Sequence, residues 1–121
     1  MGYVVGKAEG KGKEWHGHVT AVTVAPEFRR IGLARRLMDW LEEVSEKRYK
    51  AWFVDLFVRA SNTVAIGMYQ KFGYVKYRGV IGYYGDEEDA WDMRKSLVRD
   101  KKKETMVPLG RDVYPHEIKF N

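Results

Sequence analysis

The chain has 121 residues, a net charge of +5 and no cysteine. That length suits one domain with a modest core, and the lack of thiols excludes disulfides, thiolate metal sites and a cysteine nucleophile. No apolar run approaches the roughly 20 residues of a membrane helix, the start lacks the pattern of a signal peptide, and the basic balance suits phosphate-bearing ligands, nucleic acid or acidic peptides.

Residues 2–8 read as a short strand, followed by the turn "KAEGKGKE" with its two glycines. Residues 15–25 alternate, with His18, Thr20, Val22 and Val24 on one face and Val19, Ala21 and Thr23 on the other. Pro26 lacks the ladder N–H and ends that strand. A helix is expected from Gly32 to Lys47, with Leu33, Leu37, Leu41 and Val44 as its apolar stripe and Met38 and Trp40 beside it. "AWFVDLFVR" (51–59) is apolar on both faces apart from Asp55, which suits a central strand. Ser61 is the expected N-cap of a second helix reaching Phe72, with Val64, Ala65, Met68, Tyr69 and Phe72 inward and Gly73 at its C′ position. Residues 74–84 and 90–97 read as strands joined by the acidic turn "GDEED". The whole is an α/β pattern, whose first strand-helix-strand unit should place a ligand beyond the strand's carboxyl end. Residues 1–98 form the expected domain, and 99–121 a charged tail containing Pro108 and Pro115.

The first helix is charged against its dipole. Arg29, Arg30, Arg35 and Arg36 crowd its start, and Glu42, Glu43 and Glu46 its end; the reverse order is favoured by roughly 0.3–1 kcal/mol per exposed charge. Surface pairing explains any one arginine equally well. Four of them around a turn with Gly32 and Ala34 point instead to an anion held by the helix N-terminus. The turn is neither a Walker loop nor a dinucleotide fingerprint.

What stands there, Arg29-x-x-Gly32-x-Ala34, resembles the signature of the GNAT acetyltransferases, which holds the pyrophosphate of acetyl-coenzyme A. The second half of that family's pattern follows in order as Asn62, Ala65, Tyr69 and "KFGY" (71–74). "EWHGHVTAVTVAPEFRRIGLA" (14–34), "WFVDLFVR" (52–59), "GYY" (82–84) and "DAWDMRKSL" (89–97) narrow the resemblance to the catalytic subunits of N-terminal acetyltransferase B, over nearly the whole chain.

The resemblance implies a GNAT-like mixed β-sheet with flanking helices in the order β-β-α-β-α-β-β. In the family a further strand, two helices and another strand precede the segment at which this sequence starts, so the first strands and helices of the full fold are expected to be missing. It implies acetyl transfer from acetyl-coenzyme A to the α-amino group of proteins beginning Met-Asp, Met-Glu, Met-Asn or Met-Gln, by direct attack in a ternary complex. Val22, Val24, Arg29, Arg30, Ile31, Gly32, Leu33, Ala34, Asn62 and Tyr69 would hold the coenzyme. Tyr69 would protonate the departing thiolate, although its spacing alone suits a core aromatic. The Val22 N–H would polarise the carbonyl. His18, Tyr83 and Tyr84 would line the peptide site, with strand packing the competing reading for each. The implied partners are nascent N-terminal peptides, a helical-repeat auxiliary subunit and, through it, the ribosome, in the cytoplasm.

No metal is expected: His16 and His18 share a strand, His116 lies in the tail, and no carboxylate has matching spacing. No membrane role is expected. With its outer neighbour absent, "GYVVG" at residues 2–6 should present an open edge and favour self-association. Three other readings remain open: a coenzyme A-binding module without turnover, a basic RNA-binding module, and an inactive fragment that completes a complex with the auxiliary subunit.

Overall fold

A computed structural model describes residues 2–24, 30–85 and 88–118. The chain runs β1 (Gly2–Glu9), β2 (His16–Val24), α1 (Arg30–Lys47), β3 (Phe53–Arg59), α2 (Thr63–Lys71), β4 (Val75–Val80) and β5 (Ala90–Ser96), which is the expected element order. One mixed sheet forms in the order β1-β2-β3-β5-β4. β2 and β3, joined by α1, run parallel, whereas the β1–β2, β3–β5 and β4–β5 pairs are antiparallel.

The parallel ladder joins only His16–Val19 to Phe53–Leu56. Beyond it β2 continues to Val24 against β1, and β3 continues to Arg59 against β5. The two strands therefore part, and a wedge opens between their carboxyl ends, where α1 begins.

Strand alternation divides the sheet into two unlike faces. Val19, Val54, Leu56, Val58 and Met93 pack against Ala34, Met38 and Leu41 of α1 and Ile66, Tyr69 and Phe72 of α2. A Cβ at Gly17 would collide with the Ser45 side chain, so this glycine lets α1 lie close on β2. His16, His18, Phe53, Asp55, Phe57, Asp92 and Arg94 occupy the alternate positions of β2, β3 and β5 and make the other face.

Some boundaries and faces differ from those expected. α1 starts at Arg30, ahead of Gly32. Its buried residues are Ala34, Met38, Leu41 and Ser45, while Leu33, Leu37 and Val44 are half-buried. Small Ala34 and Ser45 let the backbone approach the sheet, which turns the stripe away from its larger leucines. The cap of α2 is Asn62, whose side chain accepts from the Ala65 N–H at 3.1 Å. Ser61 does not cap it: Glu88 accepts from the Ser61 N–H at 2.9 Å and from Arg59 at 2.9 Å, which holds the turn one residue longer. Val64 is 84% exposed and Ile66 is buried in its place. Gly73 has φ +99°, as its C′ position requires. β4 ends at Val80, short of the expected residue 84, and Pro26 lies outside the described residues.

Residues of the tail are tied to the sheet. The Asp100 carboxylate accepts from the Glu104 and Thr105 N–H groups at 3.0 and 2.9 Å. Residues 109–113 then follow the outer edge of β4: Leu109 N–H donates to Tyr77 O at 2.8 Å, and Val113 N–H to Gly79 O at 2.9 Å. Val113 is buried with Val80 and Ala90.

Candidate active site

The wedge is bounded by the outer part of β2, which contains Val22 paired with Val4, and by the start of α1. Arg29 lies outside the described residues, as do the side chains of Val22, Val24, Arg30 and Ile31. Gly32 is exposed in the first turn of α1, and a Cβ there would meet nothing within 4 Å among the described residues. Neither backbone conformation nor packing asks for a glycine at this point, so the open space is available to a ligand beside amides that have no intrahelical partner. The side chain of Ala34 faces the core, and Leu33 is half-buried. Arg35 pairs with Asp39 at 3.4 Å across one helical turn and lies over the Phe72 ring, so its surroundings match the surface-pairing reading.

Tyr69 is buried on α2, edge-on to Phe72 and Tyr74. Burial pushes its phenol up, which keeps the proton on the oxygen at neutral pH, as a general acid needs. Asn62 stands at the start of the same helix with its carbonyl oxygen used as the cap.

On the opposite face a second constellation is assembled from three strands. Asp55 is fully buried, and one of its oxygens lies 2.7 Å from His18 Nδ1 and 3.3 Å from His16 Nε2. Glu9 adds a carboxylate oxygen 3.5 Å from His16 Nε2 and 3.9 Å from His18 Nδ1. The other nitrogen of His16, Nδ1, faces the Glu14 carbonyl, and its ring stacks on Phe53 at 4.5 Å. A carbonyl only accepts, so Nδ1 carries a proton. Burial opposes the charged form of His16, but the Asp55 hydrogen bond and the Asp55 charge outweigh it, and the pKa is raised. Burial likewise opposes ionisation of Asp55, yet the hydrogen bonds from His16 and His18 hold its carboxyl far below the usual range.

Asp92 behaves in the opposite sense. Burial, and then the negative charge of Asp55, push it up to about 8 against Arg94 and Arg78. Arg78 Nε donates to it at 2.9 Å, and Arg94 is sandwiched between Phe53 and Tyr77. Lys76 lies over Trp91, so the basic and aromatic side chains of residues 76–78 are engaged within the fold.

His18 and Tyr83, 65 positions apart, line one cavity of about 230 Å³ together with Lys7, Glu9, Phe57, Pro115 and Ile118. His18 and Tyr83 each meet Phe57 edge-on, at 5.3 and 4.7 Å. Tyr84 stands behind, its ring against Tyr83 and under Arg59. Glu9, Asp55, Phe57 and Asp92 had no expected role. Asp55 carried a legible signal, since a carboxylate alone in an apolar strand needs a partner; the others are brought in by sheet pairing.

The reasoning from spacing against a metal needs correction. Donor atoms of Glu9, His16 and His18 lie within 4.8 Å of one another, because pairing of β1 with β2 sets Glu9 opposite His16, which sequence spacing cannot show. Such a nitrogen and oxygen set is of the kind that takes a zinc-like divalent ion. His116 is in an exposed turn, stacked on Tyr114, and is outside this group.

Residues 1–74 match the model of the Acetyltransferase (GNAT) family. The chain belongs to the GNAT acetyltransferases. Among proteins of that family it is 69% identical over 115 residues to "N-alpha-acetyltransferase 20" of Dictyostelium discoideum, covering 95% of this chain and 66% of the relative. It is 59% identical over its whole length to "N-terminal acetyltransferase B complex catalytic subunit NAA20" of Arabidopsis thaliana, covering 70% of that protein. The solved structure of Chaetomium thermophilum Naa20 in complex with a bisubstrate analogue superposes with a TM-score of 0.84 at 43% identity, over 96% of this chain and 70% of that one. The NatB acetyltransferase complex bound to a bisubstrate inhibitor gives 0.82 at 42% identity, over 98% and 70%. Within the GNAT acetyltransferases this chain therefore groups with N-terminal protein acetyltransferases, and it spans about two thirds of the length of these relatives.

Proposed function

We propose that this chain transfers the acetyl group of acetyl-coenzyme A to a protein N-terminal α-amino group, within a ternary complex. The observation that carries the reading is the wedge between β2 and β3, with the exposed Gly32 in the first turn of α1 at its mouth. It is supported by the likeness to chains solved with a bisubstrate analogue and with CoA. The pyrophosphate would lie against the first-turn amides beside Gly32, with Arg29 and Arg30 neutralising its charge. The amine attacks the thioester carbonyl, the Val22 N–H meets the developing oxyanion, and the carbon–sulfur bond then breaks. Tyr69 supplies the proton that the departing thiolate takes, and the proton lost by the attacking nitrogen leaves to solvent, from which the phenol is restored. A free α-amine has a pKa of about 7.7–8.0, so a usable fraction is neutral without a strong base, unlike a lysine amine near 10.4.

The substrate class we infer is N-termini beginning Met-Asp, Met-Glu, Met-Asn or Met-Gln, their second side chain meeting His18 and their backbone meeting Tyr83 and Tyr84. An auxiliary subunit, as in the NatB complex, would bring this chemistry to nascent chains at the ribosome in the cytoplasm. Calorimetry with acetyl-coenzyme A, followed by mass spectrometry of a Met-Asp peptide incubated with both, tests the reading. Saturable coenzyme binding and a singly acetylated peptide are expected. Failure to bind acetyl-coenzyme A would overturn it.

A further inference from the structure

His18 reaches the cavity with one ring nitrogen already committed. Its Nδ1 lies 2.7 Å from an Asp55 oxygen that also faces His16 Nε2 at 3.3 Å, and a carboxylate oxygen only accepts. Nδ1 therefore carries the proton, and Nε2 is the nitrogen left to meet a ligand among Lys7, Glu9, Phe57 and Tyr83. Asp55 is itself held from a second side, by the fully buried His16, whose Nδ1 is fixed by the Glu14 carbonyl. The groups facing this pair are Glu9 and Lys7 from β1, and Asp92 and Arg94 from β5.

We propose that Asp55 is a positioning residue for substrate recognition: it holds His18 by Nδ1, so that Nε2 is the ring nitrogen presented to the ligand. A polar side chain at the substrate's second position then finds a partner in Nε2, and an apolar one leaves it without. His16, stacked on Phe53, anchors Asp55 rather than touching the ligand. The ligand's identity rests on the acetyl-transfer reading; the tautomer does not.

The test has two arms on the 121-residue chain. Imidazole ¹⁵N spectra should show the His18 proton on Nδ1 in the parent. In Asp55→Leu the pattern should move toward the Nε2–H tautomer that free histidine prefers. A parent spectrum with the proton on Nε2 overturns the proposal whether or not the variant folds. A one-to-one zinc complex that shifts both His16 and His18 nitrogens also overturns it, by putting a cation where the proton is assigned. In the second arm, peptide anisotropy with the isosteric Asp55→Asn should show binding of a Met-Asp peptide weakened about tenfold, the scale of one charged hydrogen bond, with acetyl-coenzyme A affinity unchanged. An equal loss for a Met-Leu peptide would reduce Asp55 to a structural role. If the parent binds no peptide, the acetyl-transfer reading fails while the spectra still decide the tautomer.

Discussion

Glu42, in the C-terminal half of α1, accepts from the Tyr74 hydroxyl and from the Lys95 ammonium, both at 2.8 Å. Glu43 pairs with Lys47 at 3.0 Å, and Glu46 accepts from the Val98 N–H. Each acid that opposes the helix dipole thus has a partner, mostly from outside the helix, and half of the unusual charge order is explained by tertiary contacts. The arginine half is not, because Arg29 and the side chain of Arg30 fall outside the described residues, and among the described ones only Arg35 has a surface partner to account for it.

Tyr69 carries the sharpest prediction at this scale. Tyr69→Phe keeps the ring in its buried slot and removes only the hydroxyl. Acetyl-coenzyme A affinity should stay nearly unchanged while any turnover falls by about 10²–10⁴. An unchanged rate on a Met-Asp peptide would remove Tyr69 from the chemistry.

Three buried groups set the response of stability to pH. His16 is raised in the fold, so its contribution is complete below its ordinary 6.5 and is lost as pH climbs through the folded value. Asp92 has the same sign: its contribution is complete below 3.8 and lost by about 8. Asp55 is depressed, so its contribution is complete above 3.8 and is lost only in strong acid. Melting temperature should be highest near pH 4, decline from there as Asp92 ionises, and fall more steeply above about 6.5 as His16 adds its loss. Asp92→Asn should flatten the alkaline decline, and a variant that tracks its parent throughout would show that Asp92 does not titrate there.

At the scale of elements, α2 depends on its cap. Asn62→Ala should cost about 1 kcal/mol in chemical denaturation, whereas Ser61→Ala should stay within about 0.5 kcal/mol. The sequence shows a capping residue before Thr63 but not which one, because the choice is made by Glu88, 26 residues beyond Asn62. The element order was legible because it rests on local period and spacing. The inward faces of both helices were not: Val64 and Ile66 are equally apolar, and which is covered depends on how close the backbone comes to the sheet. The start of α1 supplies a separable test. Gly32→Val adds a side chain into open space, so the melt should hold while acetyl-coenzyme A affinity drops in calorimetry. Equal binding by variant and parent would remove this turn from the coenzyme site.

For the molecule as a whole, the two sheet edges are managed differently. β4 is covered by residues 109–113, so the stretch without a visible period serves as an edge guard. Among the described residues β1 pairs on one side only. Trp40 is 58% exposed and, with Leu41, Val44 and Tyr49, lines a groove beside the middle of that strand. We expect the chain to self-associate at micromolar concentration through this edge. Equilibrium sedimentation giving a clean monomer would show the edge to be inert. The cluster of Glu9, His16, His18 and Asp55 was invisible in the sequence for the same reason that the edge guard was: both are made by pairing between segments far apart in the chain.

The parallel ladder has only four residues on each strand. In mechanical terms the sheet is two stiff plates, β1-β2 and β3-β5-β4, joined by a short seam at one end and strapped on one face by α1. A load at the open end works on the seam through a lever. A ligand that bridged the plates there would act as a brace, taking up torque that otherwise falls on the rungs nearest Val19 and Leu56. Those rungs are where backbone amides should exchange with solvent most readily in the free chain.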